Sequence, residues 1–415
     1  MRAVSTIRRA VPNPHASDNA PRADHLFVVS GWTRAPGPNG FLNWLSDDFA
    51  VALGDDAVVV QDAALDRLTS MALRPSNPRT YSYARAGERV SRRSARHALS
   101  ATDRARVETS LREAFKSIDH PVTDQGRERA IADVLGRADR ARHSQREFAR
   151  LLDRVKPRRI YMQTAAYGTR AADIALARRQ GIEVAELQHG WMGSSHAAYN
   201  FGALMREPEF ERCLPDTILG YGDFWGRDIS FPGRFIAIGK PTLDPSTLDV
   251  PDWASRPRRV LFVSSNYEHP LVDRAVVALA DALPHDWTVA IRPHPVERAT
   301  AAHTHSSSLM HDRVELDLSA DAAAALASSR AVVGFSSTML FEALANGCHV
   351  GVVESPLAEH YADASVFPLR IAADLSNVPA VAQRLQTEPT AVETQVSESV
   401  WKKGAVRSFA DFARA

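Results

Sequence analysis

What most constrains this chain is a repeated alternation of short apolar runs with stretches of helical periodicity, interrupted once by a proline-punctuated segment. Continuous apolar runs bounded by turn residues read as strands buried on both faces, and the helical stretches between them read as crossovers, which is the pattern of parallel βαβ units. A first series comprises residues 25–30, 57–60, 159–164, 182–187, 216–220 and 235–239. A second comprises residues 259–263, 289–291, 314–316, 331–333 and 350–353. Between them lie Pro241, Pro245, Pro251 and Pro257, which suit a linker. At 415 residues the chain is long for one core and sufficient for two domains. The expected architecture is therefore α/β, with two doubly wound Rossmann-like domains facing each other across a cleft.

The boundaries follow from the same pass. Residues 1–23 read as a flexible lead-in, 24–245 as the first domain, 246–257 as the linker, 258–380 as the second domain and 381–415 as a helical segment that packs back on the first. Residues 41–53 have helical spacing, and residues 65–158, rich in Arg, Ala, Asp and Glu, read as a helical insertion.

Composition excludes several classes. Lys+Arg 50 against Asp+Glu 49 leaves a net charge of +1, so nothing global points to nucleic acid. No apolar run approaches the roughly 20 residues that span a bilayer, and the arginines at Arg2, Arg8 and Arg9 are not followed by the apolar region of a secretory signal. Cys213 and Cys348 are far apart and in no metal-ligand spacing, as in a reduced, cytoplasmic protein without a zinc site or structural disulfide. Arg92, Arg93, Arg96 and Arg104 offer a peripheral contact with anionic lipid, against the blander reading of a solvated helical face. No strand is followed by G-x-G-x-x-G or by a Walker pattern, which removes the usual support for dinucleotide or nucleoside triphosphate chemistry.

Three strand ends carry residues suited to a phosphate-linked donor. Residues 331–335 run into Ser336-Ser337-Thr338 at the start of a helix, where unpaired N–H groups favour an anion. One of these hydroxyls suffices for a helix cap. Glu342, one turn on, suits a ribose or sugar hydroxyl, or equally a solvated face. Arg292-Pro293-His294-Pro295 follows another strand, with prolines that hold His294 in place and Arg292 to add charge. The alternative is a rigid surface turn. The third is Gln188-His189-Gly190, continued by a long loop through His196; a neutral imidazole there can take a proton from an acceptor hydroxyl.

In chain order, Glu186-Leu187-Gln188-His189-Gly190, the run from Pro215 to Trp225, Ile238-Gly239-Lys240-Pro241, Arg292-Pro293-His294-Pro295-Val296-Glu297 and the run from Gly334 to Ala343 resemble bacterial GT-B glycosyltransferases of capsule and surface-polysaccharide assembly. The same order resembles teichoic-acid glycerophosphate polymerases, and the His-Pro and Ser-Ser/Thr pairs resemble bacterial sialyltransferases and polysialyltransferases. The resemblance covers roughly residues 182–350. It implies the GT-B fold and assigns His294, Pro295, Ser336, Ser337 and Thr338 to the phosphate of a cytidine nucleotide. It makes His189, with Gln188 where the polymerases have tryptophan, the counterpart of a histidine proposed to be catalytic. The sialyltransferase base is an acidic pair followed by glycine; here Asp47-Asp48 precedes phenylalanine and Asp55-Asp56 precedes alanine.

The expected function is an inverting, metal-independent transferase that carries a sugar or polyol from a CMP- or CDP-activated donor to a growing surface glycan or lipid-linked acceptor. No cofactor is expected. His189 is the candidate base, with Asp47 and Asp48 in reserve; Arg292, His294, Ser336 to Thr338 and Glu342 are donor-side candidates; Gln188, Gly190, His196, Gly239 and Lys240 are acceptor-side or cleft candidates. A GT-B nucleotide-sugar epimerase and a non-catalytic binding protein are the alternatives.

Overall fold

Leu26, Phe27, Val28 and Val29 are each at most 2% exposed, so the first apolar run is covered on both faces, as a central parallel strand must be. The structure is a computed structural model and describes residues 19–37, 40–62, 75–83, 99–116, 122–319, 321–361, 366–389 and 397–415. Its residues group into two compact units. One comprises Met1–Leu187, Ala203–Ile218 and Pro232–Arg234; the other comprises Gln188–Gly202, Leu219–Phe231 and Phe235–Ala415.

A seven-stranded sheet has the order β5-β4-β1-β6-β7-β8-β9. Its strands are β1 (His25–Ser30), β4 (Ala57–Asp62), β5 (Thr80–Tyr83), β6 (Arg159–Gln163), β7 (Glu183–Leu187), β8 (Thr217–Gly220) and β9 (Arg234–Ala237). β1 pairs in parallel with β4 on one side and β6 on the other, with His25 opposite both Ala57 and Arg159. Helices α2 (Ala101–Lys116) and α3 (Asp124–Val155) precede β6, and α4 (Ala171–Arg179) joins β6 to β7. The last turns of α3 bury Phe148, Leu151, Leu152 and Val155 in one core with Leu26, Val28, Ile160 and Met162. Ala20 and Ala23 join that core, whereas residues 1–18 of the expected lead-in lie outside the described residues. Helix α2 buries nothing and is tied to α3 by Arg112, which bridges Glu108 and Glu128.

Two local expectations change. Residues 41–53 are not one helix: β2 (Arg34–Gly37) and β3 (Gly40–Asn43) pair as an antiparallel hairpin, and α1 (Asp47–Leu53) begins only afterwards. The Asp47 carboxylate accepts the Asn43 N–H at 2.8 Å, which turns the chain from strand to helix. Within residues 65–158, Thr80–Tyr83 is a strand on the sheet edge, as its Thr and Tyr content favours. Arg92, Arg93 and Arg96 lie outside the described residues, and Arg104 pairs with Asp139 at 2.6 Å. Among the described residues no helix is long and apolar enough to cross a membrane.

The second unit holds a six-stranded parallel sheet of order β12-β11-β10-β13-β14-β15. Its strands are β10 (Arg259–Val263), β11 (Thr288–Arg292), β12 (Val314–Leu316), β13 (Ala331–Gly334), β14 (His349–Val353) and β15 (Leu369–Ile371). From β10 the chain runs outward through α5 (His269–Ala282) to β11 and β12, then returns to β13 on the other side of β10 and continues through α6 (Thr338–Ala345) to β14. Connections therefore diverge between β10 and β13, and the carboxyl ends at such a divergence are where open α/β sheets bind ligands.

The segment expected to be helical to the C-terminus divides into α7 (Val378–Leu385) and α8 (Ala405–Arg414), and residues 390–396 lie outside the described residues. Residues 399–405 pack closely in the second unit. Trp225 Nε1 donates to Val400 O and Trp401 Nε1 to Phe341 O, both at 2.9 Å. A Cβ on Gly222 would lie 2.3 Å from Ser399 O, so only glycine admits this contact. Asp244 accepts the N–H groups of Gly404 and Ala405 and so caps α8.

Candidate functional site

Strands β11 and β13, which flank β10 in the second sheet, end on the residues expected on the donor side. β11 ends on Arg292, which is only 6% exposed and donates to Asp317 Oδ1 at 3.1 Å and Ser319 Oγ at 3.0 Å. Its charge is thus engaged by a buried carboxylate rather than left at the sheet edge. His294, two residues on, is exposed. Its N–H donates to Glu297 Oε1 at 2.8 Å, and its Nδ1 faces the Val296 N–H at 3.4 Å, an arrangement in which Nδ1 accepts and Nε2 carries the ring proton. Glu297 Oε2 meets His269 Nε2 at 2.9 Å at the start of α5. Burial pushes the Glu297 carboxyl up, but hydrogen bonds from Ser264, the His294 N–H and His269 together outweigh it and hold it below its usual range. Pro295 is exposed beside His294.

β13 enters its turn beside β10. A Cβ on Gly334 would lie 2.6 Å from Val263 Cγ2 and 2.9 Å from Val263 O, so glycine lets the strands close up where the turn begins. Ser337 caps α6, its Oγ accepting the Met339 N–H at 3.2 Å. The half-buried Ser336 and Thr338 have hydroxyls that this capping bond does not use. A helix N-terminus with two further hydroxyls is suited to an anion.

The loop after β7 groups with the second unit, whereas chain order alone places it on the first. Gln188 is the reason: it is 1% exposed, its Oε1 accepts the Tyr221 N–H at 2.7 Å and its Nε2 donates to Gly190 O at 2.8 Å. The candidate cleft residue is thus a buried pin for the histidine loop. A Cβ on Gly190 would meet nothing within 4 Å, so the space beside His189 is open at that point. Burial, with the His196 imidazole adding to it, pushes His189 down to about 4, which keeps its ring neutral at pH 7. His196 itself holds the loop together, since it stacks on Trp191, meets Tyr199 at a tilt, and its Nδ1 accepts the Ala198 N–H.

Lys240 and Glu342, drawn from two separate motifs, form a part-buried ion pair at 2.9 Å. Lys240 Nζ lies 5.5 Å from the Tyr221 ring centroid and 5.8 Å from that of Trp401. Gly239 before it, at φ +95°, has Lys402 O 2.6 Å from where its Cβ would be, so its role is close packing. Asp47 and Asp48 belong to the first unit, at the start of α1. Asp48 is exposed; Asp47 is buried, and that burial pushes its carboxyl up to about 6. Among the described residues no group of three His, Cys, Asp or Glu side chains gathers as a metal-ligand set.

Sequence reasoning passed over Glu297 and the loop after β10. The only signal for Glu297 is its place in Arg-Pro-His-Pro-Val-Glu; for the loop it is Ser264-Ser265-Asn266 directly after an apolar run.

No protein-family model matches the chain, and no curated protein does. Among solved structures it is similar to CalG4, the calicheamicin glycosyltransferase, at TM-score 0.54 and 14% identity over 95% of this chain and 98% of that one. A putative UDP-N-acetylglucosamine 2-epimerase from Listeria monocytogenes is similar at TM-score 0.53 and 13% identity over 94% and 95%. UDP-GlcNAc 2-epimerase from Neisseria meningitidis, bound to UDP-GlcNAc, is similar at TM-score 0.52 and 12% identity over 94% and 98%. The chain has the GT-B fold, with two parallel-sheet α/β domains.

Proposed function

We propose that the protein is an inverting, metal-independent glycosyltransferase or polyol-phosphate transferase. In this reading it uses a CMP- or CDP-activated donor to extend a bacterial capsule or other surface glycan on a growing or lipid-linked acceptor. The supporting observation is the pair of anion-directed groups at the carboxyl edge of the second sheet: exposed His294, held through its backbone by Glu297, and the N-terminus of α6 with Ser336 and Thr338 beyond its cap. Donors fixed in place there stabilise the negative charge that develops on a departing phosphate, because they need no reorganisation as the bond breaks. His189, neutral at pH 7, receives the proton of the acceptor hydroxyl. The ordered motifs from Glu186 to Ala343 support the surface-polysaccharide assignment by resemblance.

A second reading is favoured by fold similarity to UDP-N-acetylglucosamine 2-epimerases. Incubation of the protein with CMP-, CDP- and UDP-linked donors, each with and without a lipid-linked glycan acceptor, separates the two. Transfer that requires acceptor, and is lost in His189→Ala and His294→Ala at unchanged melting temperature, supports the transferase. An isomerised sugar from donor alone supports the epimerase, and near-normal transfer by both variants refutes the assigned roles.

A further inference from the structure

The loop that joins β10 to α5 stands at the point where the second sheet's connections diverge. Val263 is in register with Gly334 of β13 and with Arg292 of β11, so Ser264 and Ser265 emerge beside Phe335-Ser336 on one side and Pro293-His294 on the other. Ser265 is 8% exposed, and its Oγ has no hydrogen-bond partner among the described residues. The same holds for Glu268 Oε2, buried three residues later. A hydroxyl and a carboxylate oxygen shut away from water without partners are costly in a free protein, and the cost is recovered if a ligand supplies the missing bonds. Two further features fix the loop in this form. Asn266 and Glu268 hold left-handed backbone at φ +62° and +54°. Glu297 ties the far end of the loop to the His-Pro turn by meeting both His269 Nε2 and the His294 N–H.

We propose that residues 264–268 form a third arm of the nucleotide site. The Ser265 hydroxyl donates to a phosphate oxygen, and the Glu268 carboxylate accepts from a ribose hydroxyl, since one is a donor that suits an anion and the other an acceptor that does not. The ligand class is a nucleoside phosphate, and the inference rests on the nucleotide-activated donor proposed above.

The test is calorimetric binding of inorganic pyrophosphate and of CDP or UDP, whichever the wild type binds more tightly. Ser265→Ala, Glu268→Gln and His294→Ala are compared with the wild type. Ser265→Ala weakens both ligands about tenfold, the ordinary worth of one hydrogen bond to a charged group. Glu268→Gln weakens the nucleotide and leaves pyrophosphate unchanged. The ligand-free Ser265→Ala protein melts no lower than wild type, because it loses an unpartnered hydroxyl. If His294→Ala loses nucleotide while Ser265→Ala binds normally, or if Ser265→Ala melts several degrees lower with its affinity intact, the third arm is overturned and the donor reading stands. A Glu268→Gln protein that loses pyrophosphate as strongly as nucleotide overturns the ribose assignment. Wild-type protein that binds neither ligand overturns the donor reading and this inference together.

Discussion

Replacing His189 by glutamine should remove a defined part of the protein's acid sensitivity. Burial first, and the His196 ring second, hold the His189 imidazole at about 4, against 6.5 for an unhindered histidine. Between those values the unfolded chain binds a proton that the folded protein excludes, so stability falls as pH falls. The contribution is full above 6.5 and is lost as pH drops through 4. From pH 7.5 to pH 5 this one ring costs roughly 2 kcal/mol, with a ceiling of roughly 3 kcal/mol at lower pH. His25 and His196 are also lowered by burial, but both remain in the variant, so comparison with wild type isolates His189. Urea denaturation at pH 7.5 and pH 5 should show wild type losing roughly 2 kcal/mol more than His189→Gln. The ring should titrate near 4 by NMR of labelled histidine. Equal losses in the two proteins, or a His189 ring that titrates at 6 or above, would show that this histidine is not held neutral by its surroundings. With His189 as the proposed base, the same value predicts an acid limb of kcat/KM well below neutrality, near pH 4.

Asp47→Asn tests the opposite sign. Its carboxyl is raised to about 6, first by burial, so its ionisation opposes folding: the favourable contribution is full below 3.8 and is lost as pH rises through 6. The variant should gain up to roughly 3 kcal/mol over wild type at pH 7.5 in denaturant titrations, with the gain vanishing near pH 4. It should retain turnover if His189 is the base. Gly222→Ala tests the packing of the C-terminal segment: its Cβ would meet the backbone carbonyls of Ser399 and Val400 at 2.3 and 2.4 Å, and backbone cannot yield as a side chain does. A loss of roughly 1–3 kcal/mol of unfolding free energy by denaturant titration is expected, and an unchanged midpoint would mean the contact is not made.

Much of this architecture is legible because buried parallel strands announce themselves. Val58 to Val60 and Val260 to Phe262 are apolar without interruption since both faces are covered. The His-Pro and Ser-Ser-Thr motifs are legible for a related reason: they follow such runs directly and so fall at strand ends. What stays hidden depends on contacts made far along the chain. Arg292 looks like a free cation until Asp317, a strand away, engages it. Lys240 and Glu342 lie about a hundred residues apart and meet only in the folded unit. Gln188 is a buried link to Tyr221 that no local pattern reveals. Thr80–Tyr83 is missed because a short edge strand embedded in a helix-rich region has too few residues to establish its own period.

The most direct measurement is calorimetric titration of wild type and His294→Ala with CMP, CDP, UDP and the unphosphorylated nucleosides. If the carboxyl edge of the second sheet is a nucleotide-phosphate site, a pyrimidine nucleotide binds wild type at least tenfold more tightly than its nucleoside. His294→Ala should erase most of that margin without a lower melting temperature. No nucleotide binding by wild type, or equal affinity in the variant, would contradict it.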